Sequence, residues 1–252
     1  MGLVSPSVPL INQFILCRAN VSEESVTSLC EACEINVSPN DLTKLIKAFR
    51  FCNESDELLI HLFRKIKCEH IDYDVQLAVI TLDSIYHTQL KDAYYIARRM
   101  NEEFDSIAEL IRYKNLVPAV EKISNIFNAD NDENYIYSFA SKFCSFMDSS
   151  SYPIFDTYSS NLIYLFLQEQ PGLEKQPTKY KYKTYLGMPY YFKRAYDEFL
   201  DLYNLSDNYN YKQVDMFLWM YGKMLDITNT RNFNHIDFIP LKKRYKYPHY
   251  PF

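Results

Sequence analysis

Lys142 and Asp156 are the residues whose types and spacing point most directly to chemistry. Lys142 ends the run Tyr137-Ser-Phe-Ala-Ser-Lys142, and Asp156 ends Ser151-Tyr-Pro153-Ile-Phe-Asp156. Around the lysine, Ile136, Phe139, Ala140, Phe143, Phe146 and Met147 recur at helical spacing, which predicts an amphipathic helix with one apolar stripe. Lys142 falls about 100° from the centre of that stripe, so it is expected on its flank, neither core nor fully solvated. Pro153 fixes an extended approach, and Asp156 takes the N-cap of the next helix. Such a hairpin of helices brings the end of one beside the start of the next. The lysine is therefore expected on the floor of an aromatic-rimmed pocket, with Asp156 one hydrogen bond or one water away. An amine in a partly dry site has a lowered pKa and becomes a usable nucleophile. A carboxylate at a helix N-terminus stays ionised and stabilises a developing cation. The alternative is structural: an N-capping aspartate and a lysine that snorkels to the surface.

Other constellations are weaker. Cys30-Glu31-Ala32-Cys33 is a CxxC inside a helical stretch, with no second pair at finger spacing, and reads as buried structural thiols. The five histidines show no metal spacing, so no metal and no cofactor are expected. Two basic segments interleave with tyrosines: Lys179, Lys181 and Lys183 among Tyr180, Tyr182 and Tyr185, and Lys242, Lys243 and Arg244 beside Tyr245 and Tyr247. Lys and Arg beside aromatics hold phosphates and stack bases, which makes these six the candidate nucleic-acid contacts. Two solvated loops whose rings pack back onto the domain are the alternative.

The elements that must position these residues are helical throughout. The chain has 252 residues and a formal charge of −5, with 48% hydrophobic and 23% charged residues, enough apolar material for a buried core. Only four glycines occur, at 2, 172, 187 and 222. No two lie close enough for a dinucleotide fingerprint or a phosphate-cradling loop. No apolar run is long enough to cross a bilayer, and the N-terminal stretch has no secretory pattern. The expectation is a cytoplasmic protein with reduced thiols and no membrane partner.

Helical periodicity predicts an all-α chain of about nine or ten helices. One opens at Pro39 and runs to Phe51; Ser55 caps another. A third covers Tyr73 to His87, a broken one 91–113, and Pro118 starts a short one. Beyond the Lys142 helix, further helices begin near Asp156 and carry Phe192 to Tyr203 and Val214 to Leu225. Residues 169–187 read as a loop and 240–252 as an irregular tail. Trp219 reads as a packed core edge. Charge divides the chain: residues 1–134 carry a net −8 and 135–252 a net +3. This predicts an acidic helical part over 1–130 packed on 131–252 as one compact unit, with the cleft between them.

With these residues in place, the chain resembles a known family. A lysine late in one helix, a turn, then Pro-x-x-Asp opening the next is similar to the helix-hairpin-helix DNA glycosylases of the 8-oxoguanine type. Ser138-Phe-Ala-Ser-Lys142, Tyr152-Pro-Ile-Phe-Asp-Thr157 and the later Asp215-Met-Phe-Leu-Trp-Met-Tyr-Gly-Lys223 look like a bacterial glycosylase-like branch. The resemblance covers about 132–224. It implies a glycosylase-like helical fold, DNA as partner, and excision of a damaged base through a Schiff base on Lys142 assisted by Asp156. Where those enzymes carry a glycine-rich, phosphate-gripping hairpin, this chain reads Ser138-Phe-Ala-Ser141. The alternative function is a non-catalytic helical module that binds nucleic acid or a partner protein.

Overall fold

Several helix starts in this chain are set by short polar side chains that satisfy otherwise unpaired backbone N–H groups. Ser7 caps α1 (Val8–Ala19), accepting from the Leu10 N–H, and Ser22 forms a reciprocal capping box with Ser25 at the start of α2 (Glu23–Ala32). The computed structural model describes residues 3–68, 72–88, 90, 92–126, 136–150, 152–168 and 189–230. Among them the remaining helices are α3 (Pro39–Cys68), α4 (Asp72–Tyr86), α5 (Ala93–Glu102), α6 (Phe104–Arg112), α7 (Leu116–Asn125), α8 (Tyr137–Met147), α9 (Thr157–Gln168), α10 (Pro189–Leu202) and α11 (Tyr211–Ile227). The described residues contain no strand, and the all-α class holds. None of these helices is long and apolar enough to cross a membrane.

The largest departure from the sequence reading is α3. Two helices were expected, parting between Phe51 and Ser55, yet one helix of 30 residues runs through. Leu45, Phe49, Cys52, Asp56, Leu59, Phe63 and Ile66 follow one another at alternating spacings of four and three, all buried except the half-buried Cys52. A continuous apolar seam stabilises the whole helix and overrides the cap-like Ser55-Asp56. Ser55 is itself buried mid-helix and caps nothing. Segment 91–113 does break, at Glu103, into α5 and α6.

One hydrophobic cluster includes residues of both the acidic N-terminal part and the C-terminal part. α3 packs on α4, α8 and α11, and α1 lies along α11. The Phe14 and Phe217 rings meet edge-on at 5.0 Å, and the Val4 N–H donates to the Tyr221 hydroxyl at 3.0 Å. Trp219 packs at the edge of this core, 6.3 Å from the Phe49 ring and 6.5 Å from Tyr158. α9 approaches α11 closely because Gly222 has no side chain: a Cβ there would stand 2.7 Å from the Tyr158 side chain. That contact locks the first turn of α9, and so Asp156, against the helix that carries Asp215.

Candidate active site

α8 has a single charged residue, Lys142, among its eleven. Opposite the apolar row, Ser138, Ser141, Lys142 and Ser145 form a second row at i, i+3, i+4 and i+7. This polar row is not a solvated face. Every residue of α8 except Ser138 is buried, and Lys142 is 3% exposed. The expected flank position is thereby corrected: a helix with one charge in eleven residues has no solvent face to offer, and it is enclosed by α3, α4 and α7.

The polar row holds the non-helical segment 152–156. The Phe155 N–H donates to Ser141 Oγ at 3.0 Å. The Lys142 Nζ donates to Ser138 Oγ at 2.7 Å, to the Phe155 carbonyl at 3.4 Å and to the Ser138 carbonyl at 3.5 Å. It also stands 5.6 Å from the centre of the Tyr86 ring on α4. All its oxygen partners are neutral. Burial therefore pulls Lys142 below the usual lysine value, with Lys212 acting the same way, against the opposing pull of Asp156 and Asp215.

Asp156 is the N-cap of α9, as expected. Its Oδ1 accepts from the Ser159 N–H at 2.7 Å, while its own N–H donates to Ser159 Oγ at 3.0 Å, a complete capping box. The direct Lys142–Asp156 hydrogen bond is not made: the amine turns to Ser138 and Phe155, and the carboxylate acts on it only through space. Nor does Lys142 lie on the floor of an open pocket, because Tyr86 and the 152–156 segment close over it. Where α1 and α3 meet α8 and α11, buried side chains belong to one shared core. A concavity of about 410 Å³ lies away from Lys142, bordered by Asp197, Asp201, Tyr209 and Tyr211.

Four further residues complete the centre, and the sequence reading assigned none of them a role. Asp56 is 1% exposed; its Oδ2 meets Arg18 Nη2 at 2.7 Å and Lys212 Nζ at 3.1 Å, and its Oδ1 accepts from the Tyr86 hydroxyl. Burial alone would raise this carboxyl, but Lys212 and Arg18 outweigh it and hold Asp56 below the usual carboxylate value. Tyr86 thus joins the two ionisable groups: its ring faces Lys142 and its hydroxyl binds Asp56. Lys212 also stands 4.2 Å from the centre of the Phe146 ring. Its signal was available in the sequence, since a lysine in the first turn of a helix opposes the macrodipole and needs a reason. Asp215 is buried; its Oδ2 accepts from the Ile154 N–H at 2.8 Å and its Oδ1 from the Tyr196 hydroxyl at 2.9 Å. Burial pushes its carboxyl up to about 8.

The CxxC cysteines are buried free thiols, and burial raises Cys30 to about 11 and Cys33 to about 12. Such groups stay protonated and unreactive at neutral pH. Among the described residues no cluster of His, Cys, Asp and Glu is set to hold a metal ion. Lys179, Lys181, Lys183, Lys242, Lys243 and Arg244 lie outside the described residues.

Residues 39–151 match the model of a protein family described as an N-terminal domain, HI_0787_N. That stretch runs from α3 through α8 and includes Asp56, Tyr86 and Lys142, but not Asp156 or Asp215. Over 92 residues, 36% of its length, the chain is 28% identical to an uncharacterized protein of Haemophilus influenzae. The match spans 39% of that relative's length. No solved structure matches the chain.

Proposed function

We propose that the chain is a DNA glycosylase-like protein that excises a damaged base by amine attack from Lys142. One observation supports this above all: a lysine 3% exposed, surrounded by neutral acceptors and biased toward its free amine, beside a helix N-terminus capped by a carboxylate. A purely structural lysine has little reason to remain at such a position, where its charge is costly. In the proposed step the amine attacks C1′ of the damaged nucleotide's sugar. The C1′–N bond breaks, and the base leaves with its electron pair and takes up the proton that the amine sheds. The nitrogen lone pair then breaks the C1′–O4′ bond, O4′ takes a proton from water, and the resulting protonated imine has its charge offset through space by Asp156. Entry of the flipped nucleotide requires Tyr86 and its Asp56 clamp to move off the amine.

Borohydride trapping on oligonucleotides with a panel of base lesions tests this reading. The native protein forms a covalent adduct with at least one lesion, and Lys142→Gln forms none. Absence of any adduct across the panel at low salt, or an adduct that persists in Lys142→Gln, ends the glycosylase reading.

The enclosure of Lys142 favours a second reading, a non-catalytic helical module that binds nucleic acid or a partner protein. On that reading, binding is salt-sensitive, survives Lys142→Ala, and depends on the basic segments at 179–183 and 242–244.

A further inference from the structure

Asp215 reaches the lysine through one short stretch of backbone. It lies in the second turn of α11, buried, with both oxygens occupied by the Ile154 N–H and the Tyr196 hydroxyl. The next residue along that backbone, Phe155, gives its N–H to Ser141 and accepts from the Lys142 Nζ through its carbonyl. The residue after it is Asp156, fixed as the cap of α9. A single carboxylate therefore anchors the segment that supplies both an acceptor for the amine and the nearby capping charge.

We propose that Asp215 is a positioning residue for Lys142: it holds residues 154–156 against α8, and its own ionisation biases the charge state of the amine. The inference rests on the amine chemistry proposed above and extends it to a residue that touches neither the amine nor a substrate. The groups around the amine set the sign. Asp215 and Asp156 favour the ammonium, and Lys212 of α11 opposes it. From α4 comes the neutral Tyr86, behind which Asp56 and Cys52 of α3 and Arg18 of α1 form their own paired set. Glu121 of α7 acts on Tyr152 instead. Burial holds the Asp215 carboxyl near 8, where it is ready to change charge close to neutral pH. Ionised, it favours the ammonium; protonated, it withdraws that support.

The test is the ε-carbon NMR titration of the full chain labelled with 13C-lysine, the Lys142 signal being assigned by its loss in Lys142→Gln. Asp215→Asn keeps an acceptor for the Ile154 N–H and a partner for the Tyr196 hydroxyl, so it removes the charge and spares the anchor. Its Lys142 midpoint falls by about half a pH unit, roughly a threefold gain in free amine within the titrating range. Lys212→Gln moves the midpoint the opposite way. If Asp215→Asn does not fold, Tyr196→Phe carries the test: it removes one donor, makes ionisation of Asp215 costlier, and lowers the midpoint by less. An unmoved midpoint in whichever of these two variants folds overturns the inference, because an anchor with no electrostatic role leaves the amine unchanged. The titration needs no substrate. A shifted midpoint without any borohydride adduct sinks the glycosylase reading alone, and an adduct with an unmoved midpoint sinks this inference alone.

Discussion

α3 buries one carboxyl and α8 one amine at almost the same depth, and the two are treated in opposite ways. Asp56 on α3 is 1% exposed and Lys142 on α8 is 3% exposed. Asp56 meets two cations and a phenol, and these hold it ionised against the cost of burial. Lys142 meets a hydroxyl, two carbonyls and an aromatic ring, and burial drives it toward the neutral amine. Depth of burial thus does not decide charge state here; the partners do. The same comparison separates scaffold from chemistry. A carboxylate clamped by Arg18 and Lys212 ties α1, α3 and α11 together, whereas an amine given no counter-ion is a poor structural element and a good nucleophile.

The sharpest way to break this contrast is Asp56→Ala. It leaves Arg18 and Lys212 facing each other without their shared anion, at an expected cost of about 3–5 kcal/mol measured by urea unfolding. Asp56 also sets an acid limb. Its folded pKa lies below the unfolded value, so its contribution is present above pH 4 or so and is lost as pH falls through the folded value. Asp56→Asn flattens that limb. A variant as stable as the native chain, with its acid limb unchanged, would remove Asp56 from the scaffold.

Gly222→Ala tests whether α9 is held in place by close approach rather than by its cap alone. The added methyl meets the Tyr158 side chain, and the expected cost is about 1–3 kcal/mol in the same unfolding assay. An unchanged midpoint would show that Tyr158 yields freely and that the α9 register is not locked there.

Lys142→Met has the opposite sign. Between the lowered folded pKa and the usual lysine value, the unfolded chain binds a proton that the folded chain does not. Lys142 therefore destabilises the fold at neutral pH, and its effect fades as pH rises toward 10. Replacement by methionine stabilises the fold at pH 7 and removes that alkaline rise. A destabilised methionine variant would make Lys142 a structural residue. The smallest effect is at the cap: Asp156→Ala costs about 1 kcal/mol and Asp156→Asn a few tenths, because asparagine caps α9 nearly as well.

Much of the fold was legible in short-range signals, and the centre was less so. The Asp156 cap, the apolar row of α8 and a break somewhere within 91–113 all follow from spacing and cap chemistry within one or two turns. The continuity of α3 did not: Ser55-Asp56 has the local look of a helix start, and the tertiary partners of Asp56 come from residues 18, 86 and 212. The spacing marks Lys142 as unusual but places it on a flank, whereas the fold buries it. Its burial depends on α3, α4 and α7 enclosing α8, although the single charge in Tyr137–Met147 was a signal in plain view. Asp215 sits 61 residues from the Ile154 amide that it holds, and only the folded chain shows that link.

Lys142 is a buried amine held below the usual lysine value, while Asp56 is a buried carboxyl held below the usual carboxylate value. The direct measurement is the pH titration of the Lys142 ε-carbon in the native protein, read beside the exposed lysines of the same sample. The account predicts a Lys142 midpoint clearly below theirs. A midpoint that coincides with the exposed lysines would contradict it, and with it the proposal that this lysine attacks a sugar.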